Sequence, residues 1–150
     1  MKTLAQSAYI AILGLVMLCS VNPDAAHGAA PSWVLLDDNA AHSAFYYDKA
    51  GISKQGKGLF RVTARVIYTP QGKAETLDLL KHAKEFETLA ESRYVYNMDC
   101  KHGKSQLLNV THLDSKNVQI KVFDLSGVTE WEEIPPAARL ELITDEVCAK

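Results

Sequence analysis

Residues 59–69, LFRVTARVIYT, carry the clearest strand pattern in the sequence. Every second side chain from Phe60 to Val66 is apolar, whereas Arg61, Thr63 and Arg65 occupy the positions between them. Successive side chains of a β-strand point to opposite faces of the sheet, so this pattern predicts a strand with one covered face and one wetter face. Half-covered strands of this kind are typical of antiparallel sheets.

Shorter strand-like segments lie on both sides of this stretch. The other predicted strands are residues 33–36, 43–48, 94–100, 106–113 and 118–123. In the second of these segments Phe45 and Tyr47 share one face and Tyr46 points to the other. Residues 54–58 contain two glycines and are interpreted as a turn. The sequence therefore predicts an antiparallel sheet of about six strands.

Two segments have helical rather than strand periodicity. Residues 75–91 predict a short internal amphipathic helix. Its apolar positions are Leu79, Leu80, Ala83, Phe86 and Ala90. Two prolines precede residues 137–147, where Leu140, Ile143 and Val147 fall on one helical face, so a C-terminal helix is predicted there. With no repeat and no linker, the chain is predicted to form one α+β domain.

The first 28 residues have the layout of a secretory signal peptide. A lysine precedes an uncharged apolar stretch, residues 8–19, and small polar residues follow it. As a helix, twelve residues would rise about 18 Å, well short of the roughly 30 Å hydrocarbon core, so no retained membrane span is expected. We expect cleavage between Gly28 and Ala29, which leaves residues 29–150 as a single exported domain.

Cys19 leaves a second interpretation of this leader open. It follows Val16-Met17-Leu18 and could be the lipidated cysteine of a bacterial lipoprotein. Such a site prefers a small residue immediately before the cysteine, and Leu18 is bulky. The simpler interpretation is that Cys19 ends the apolar stretch that the peptidase removes.

Removal of the leader leaves two cysteines, Cys100 and Cys148. An even pair in an oxidising compartment predicts a disulfide, which would hold the C-terminal helix against the sheet. A metal site is the alternative, but neither cysteine has a partner at the spacing of zinc sites. We interpret His102 and His112 as solvated strand or turn residues, and we expect no metal and no other cofactor.

Composition and motifs argue against several functional classes. The chain is 47% hydrophobic and 23% charged, with a formal net charge of −2, so it is neither a disordered chain nor a basic nucleic-acid-binding protein. The sequence lacks a G-x-S-x-G motif and a phosphate-binding glycine motif. The histidines of the exported part lie in unrelated local settings. No enzymatic activity is therefore expected.

The open face of the predicted sheet provides the candidate binding residues. Strand alternation turns some aromatic side chains outward, where tyrosine and tryptophan often anchor partners. Tyr46, Arg61 and Arg65 form the candidate binding surface, although solvation explains outward arginines and core packing explains most aromatic residues. The first hypothesis is therefore an exported, non-enzymatic binding protein that uses this surface. The second hypothesis is a structural or assembly element of the envelope, for example a homodimer formed through an unpaired strand edge.

A series of short motifs runs in order along the exported part of the chain. They are Trp33, Tyr46-Tyr47-Asp48 with Ile52, Tyr68, Tyr96-x-x-Asp99-Cys100, Trp131-x-x-Ile134-Pro135 and Val147-Cys148. Over residues 33–148 this order resembles the surface-adhesin protein E family of Gram-negative bacteria.

The resemblance implies an antiparallel sheet with a disulfide-tied C-terminal helix. It also implies an exported adhesin of the periplasm or outer-membrane surface that binds host extracellular-matrix and serum proteins and is anchored by lipid. The sequence departs from this pattern at the poor lipidation motif around Cys19. It also lacks a lysine-rich run, since Lys54, Lys57, Lys81 and Lys84 are dispersed.

Overall fold

The computed structural model describes residues 30–149, and its central feature is a sheet of eight antiparallel strands. The strands are β1 Trp33–Asn39, β2 Ser43–Asp48, β3 Ser53–Gly56, β4 Leu59–Tyr68, β5 Leu89–Asp99, β6 Lys104–Asp114, β7 Gln119–Asp124 and β8 Glu132–Glu133. The order across the sheet is β1-β2-β4-β5-β6-β7, and β3 pairs with β4 while β8 pairs with β6. The predicted antiparallel sheet is confirmed. The short strand β3 lies where a turn was predicted, because Ser53 and Lys54 pair with β4 before the chain turns.

Two α-helices, α1 Pro70–Leu79 and α2 Arg139–Cys148, and a 3₁₀ turn, Lys84–Phe86, complete the described residues. The prediction of one helix over residues 75–91 is wrong in position. The chain leaves the helix after Leu79, because Lys81 and His82 have positive φ angles of 55° and 49° that a continuing helix excludes. Leu79, expected on the apolar face, is 83% exposed.

Helix α1 begins at Pro70, where the neighbouring residues provide for the backbone N–H groups that have no partner within the helix. The Thr69 hydroxyl accepts a hydrogen bond from the Gly72 backbone N–H at 3.1 Å. Pro70 occupies the first turn, where the helix needs no backbone donor. The close packing of Gly72 against the backbone of His42 then fixes the helix beside the β1–β2 turn.

Helix α2 confirms the predicted C-terminal helix and packs on the covered face of the sheet. The core cluster consists of Phe45, Tyr47, Val62, Ala64, Met98, Ile143 and Val147. Phe45, Tyr47, Val62 and Ala64 come from the strand faces inferred from alternation, and Ile143 and Val147 from the predicted apolar face of the helix. Met98 comes from β5, for which no buried face was predicted. This burial confirms the alternation inferred from the sequence.

Both ends of α2 are attached to the sheet. At its C-terminal end, the predicted disulfide joins Cys148 to Cys100, which directly follows β5, with a Cα–Cα distance of 5.5 Å. At its N-terminal end, Arg139 donates from Nε to Asp37 Oδ2 at 2.7 Å and from Nη1 to the Ser43 hydroxyl at 2.7 Å. The predicted role of the disulfide in holding α2 against the sheet is therefore confirmed.

A second buried cluster surrounds His112, under the segment that contains the 3₁₀ turn. The interpretation of His112 as a solvated residue is wrong, because the residue is 5% exposed and its ring packs edge-on against Phe86 and Phe123. Its Nδ1 lies 2.7 Å from the Ser92 hydroxyl, to which the Tyr68 hydroxyl also donates. Burial lowers the pKa of His112 from its usual 6.5, which favours the neutral ring.

The signal peptide, its cleavage between Gly28 and Ala29, and the lipidation of Cys19 all concern residues that lie outside the described residues. These three statements therefore stay predictions. Among residues 30–149, no helix has the length and apolar character needed to cross a membrane.

Candidate binding site

The sheet face opposite α2 carries all three candidate residues. Tyr46 lies directly across from Arg65 in the β2–β4 pairing, and the Arg65 guanidinium carbon is 5.8 Å from the centre of the Tyr46 ring. Arg61 lies four residues earlier in β4, exposed on the same face, where its Nε donates to Asn97 Oδ1 at 3.1 Å. The structure therefore brings Tyr46 and Arg65 together and leaves Arg61 apart.

A second arginine, Arg93 of β5, lies directly opposite Arg65 in the β4–β5 pairing. Like charges at opposite positions of a sheet repel each other, so the pair needs a counter-ion. Glu91 supplies it: Oε2 lies 2.6 Å from Arg65 Nη2 and Oε1 lies 2.6 Å from Arg93 Nε. Only 8% of the Glu91 side chain is exposed, so the carboxylate is held below the two guanidinium groups and away from solvent.

The indole of Trp33 lies over both arginines. Its ring centre is 5.2 Å from the Arg65 guanidinium carbon and 5.6 Å from that of Arg93. Trp33 belongs to the edge strand β1, so its side chain reaches across the neighbouring strand β2. We call the five contacting residues, Trp33, Tyr46, Arg65, Glu91 and Arg93, the outer cluster.

A cleft of about 690 Å³ opens beside the outer cluster, a volume in the usual range for small-molecule sites. The cluster contributes Trp33, both arginines and Glu91 to its walls. The β6–β7 turn contributes a polar rim formed by Asp114, Ser115 and Asn117. Asn117 adopts a left-handed backbone conformation with φ 63°, and its Oδ1 accepts a hydrogen bond from Arg93 Nη2 at 2.6 Å.

The residues that line this cleft suit an anionic group beside an aromatic ring. A guanidinium group carries five N–H donors and stays charged in proteins, and its fork geometry suits carboxylates and phosphates. Arg65 Nε is buried and has no hydrogen-bond partner among the described residues. The residues that line the cleft include no histidine and no cysteine. Within residues 30–149, no group of three or more His, Cys, Asp or Glu residues has the arrangement of a metal site.

Sequence reasoning missed Glu91 and Arg93. The predicted internal helix extended over Glu91, and the predicted strand began one residue after Arg93. From Arg93 onward, Tyr94, Tyr96 and Met98 nevertheless take every second position, which was available as a strand signal. The observed β4–β5 register then places Arg65 and Arg93 opposite each other.

Comparison with known proteins identifies a family whose model matches this chain and solved structures with a similar fold. The family model described as surface-adhesin protein E matches residues 33–149. A solved structure of Haemophilus influenzae protein E is similar in fold, with a TM-score of 0.51 and 13% identity, over 81% of this chain and 92% of that chain. A second crystal form of that protein gives a TM-score of 0.51 at 15% identity, over 81% of this chain and 95% of that chain.

No curated protein matches the chain. The family model nevertheless covers nearly all of the described residues, including both cysteines and the whole outer cluster. The chain therefore belongs to the surface-adhesin protein E family.

Proposed function

We propose that this chain is an exported, non-enzymatic, adhesin-like binding protein of the bacterial envelope. The observation that carries the proposal is the outer cluster, which sets Trp33, Tyr46 and two arginines on the sheet face opposite α2. Tryptophan, tyrosine and arginine are the residues most enriched among the energetically dominant contacts of protein interfaces. Membership of a surface-adhesin family supports the same function.

The proposed binding surface is centred on the outer cluster and extends along β4 to Arg61. The arginines are already oriented by Glu91 and Asn117, so binding would cost little side-chain entropy at these positions. Their side chains are 23% and 28% exposed, which leaves part of each within reach of a partner.

The binding test uses the exported protein against a panel of immobilised extracellular-matrix and serum proteins, the partners expected of an adhesin. We expect saturable binding to at least one member, and loss of that binding in Tyr46→Ala and Arg65→Ala. The control is Lys101→Ala, which removes an exposed charge at the β5–β6 turn. Arg61→Ala tests how far the surface extends along β4. The proposal fails if the wild-type protein binds no panel member, or if the two cluster variants bind as well as the control.

We also propose that residues 1–28 direct export and are removed between Gly28 and Ala29. The mass and N-terminal sequence of the mature protein test this step. A chain that begins at Ala29 indicates release into the periplasm or beyond, and a lipidated Cys19 indicates an anchored protein at the outer membrane. Recovery of the full-length chain from the cytoplasm alone would contradict export.

One further observation favours assembly as a second function. Strand β7 is the last strand of the sheet order, and the segment that contains it exposes Val118, Val122 and Phe123. An exposed apolar edge strand is a template for pairing with another chain. The second candidate function is therefore a homodimeric structural element of the envelope. Light scattering across a range of protein concentrations tests whether the chain dimerises. A monomer at every concentration would exclude a homodimer formed through β7.

A further inference from the structure

We infer that the cleft beside the outer cluster binds an acidic sugar, with its carboxylate on Arg65 and Arg93 and its ring against Trp33. The inference rests on the proposed binding function and names the chemical class of the ligand. It follows from three properties of the cleft: unused guanidinium donors, an aromatic wall, and a floor of fully paired strands.

The first property is the supply of donors for an anionic group. Glu91 engages Nη2 of Arg65 and Nε of Arg93, and Asn117 engages Nη2 of Arg93. Since each guanidinium has five N–H groups, both arginines keep donors that have no partner among the described residues. Among the described residues, Glu91 is the only carboxylate that forms an ion pair with either arginine, and Asp114 at the rim forms none. A ligand carboxylate would form charge-assisted hydrogen bonds with the remaining donors.

The second property is the combination of an aromatic wall with a polar rim. A pyranose ring has an apolar C–H face that packs on an aromatic surface, and hydroxyl groups around its edge that both donate and accept. Trp33 provides the aromatic surface. Asp114, Ser115 and Asn117 provide side chains that bond hydroxyl groups, and Asp114 Oδ1 is already oriented by the backbone N–H groups of Lys116 and Val118. The rim therefore suits a hydroxylated ligand better than an apolar one.

The third property distinguishes a sugar from an extended peptide. A peptide adds to a sheet by pairing with an unpaired edge strand. The cleft lies on the faces of β4 and β5, and each of these strands is already paired on both sides, β4 with β2 and β5, and β5 with β4 and β6. No strand can be added at this position, so the ligand is held by side chains alone.

The experiment measures Trp33 fluorescence during titration with sodium glucuronate. The protein has two tryptophans, so the exported Trp131→Phe variant reports on Trp33 alone. Glucose and inorganic phosphate are titrated in parallel, because glucose lacks the carboxylate and phosphate lacks the ring. We expect a saturable change with glucuronate at millimolar concentration, and no saturable change with glucose or phosphate.

Substitutions then assign the carboxylate contact. Arg93→Gln should weaken glucuronate binding about tenfold or more, the usual effect of losing a charge-assisted hydrogen bond. The control is Lys101→Gln, which removes an exposed positive charge at the β5–β6 turn outside the cleft and should leave binding unchanged. If Arg93→Gln does not fold, Asn117→Gly replaces it, because glycine tolerates the left-handed backbone and the change removes the amide that orients Arg93.

The inference is overturned if glucuronate gives no saturable change, if glucose or phosphate binds equally well, or if the cleft variants bind glucuronate like the wild type. If a panel protein still binds while no sugar does, the ligand class is wrong and the proposed binding function stands. If neither binds, both proposals fail.

Discussion

Removing the Cys100–Cys148 disulfide should lower the free energy of unfolding by about 4 kcal/mol. The perturbation is the double variant Cys100→Ser with Cys148→Ser in residues 29–150, a segment that then contains no cysteine to cross-link two molecules. The bond joins residues 48 positions apart. For a loop of that length, the chain-entropy model gives an unfolded-state entropy loss of about 14 cal/mol/K, which is about 4 kcal/mol at 25 °C. Since domains are typically stable by about 5–15 kcal/mol, the variant would lose a large share of its stability.

Urea unfolding followed by tryptophan fluorescence measures this loss. With a slope of about 1–3 kcal/mol/M, the midpoint should fall by roughly 1–4 M. The slope should rise as well, because the unfolded chain expands once the cross-link is gone. Wild-type protein in reducing agent is the control and should unfold like the double variant. A loss below about 1 kcal/mol would refute the reasoning that the closed loop accounts for most of the effect.

Three other perturbations test separate parts of the structure. Glu91→Gln removes the charge between two half-exposed arginines, so the free energy of unfolding in urea should fall by about 2 kcal/mol, and an unchanged midpoint would contradict the counter-ion role. Burial lowers the pKa of His112 in the folded protein below 6.5, the value expected in the unfolded chain. The stability that depends on an uncharged His112 is therefore complete above pH 6.5 and decreases as the pH falls below it, because the unfolded chain binds the proton more readily. Thermal unfolding across neutral to mildly acidic pH should show this decrease, and the pH dependence should be weaker in His112→Gln; an identical dependence in both proteins would exclude His112 as its source. Gly72→Ala would place a methyl group against the His42 carbonyl, 2.7 Å from its carbon, and should cost about 3 kcal/mol in thermal unfolding. Gly56→Ala, whose methyl group meets its nearest atom at 3.6 Å, is the control, and equal losses in both variants would contradict the steric explanation.

The strands were predictable where one face of the sheet is covered. In β2 and β4 the two-residue alternation alone identified which side chains lie in the core, and Phe45 and Val62 are buried as expected. The internal helix was not predictable by periodicity. Phe86 has helical spacing from Leu79, but its burial comes from packing on His112, a contact across the chain that local spacing does not contain. The helix begins instead at Pro70, where the Thr69 side chain caps it, five residues before the predicted start at residue 75.

The candidate site was predictable only in part, for a similar reason. Tyr46 and Arg65 followed from the outward face of single strands. The importance of Glu91 and Arg93 depends on the β4–β5 register, which sets the two arginines opposite each other. A single strand pattern does not contain that register, and a one-residue shift would have turned Arg93 to the covered face.

The two segments that cover the inner face of the sheet respond to different solution conditions. Helix α2 is secured by an oxidised cysteine pair, and the segment that ends in Phe86 packs on His112, whose pKa is lowered by burial. The packing of these two segments on the sheet is therefore most stable in surroundings that are oxidising and close to neutral pH. The cytoplasm meets the second condition but keeps thiols reduced. We accordingly expect the disulfide that holds α2 against the sheet to form only in an oxidising compartment.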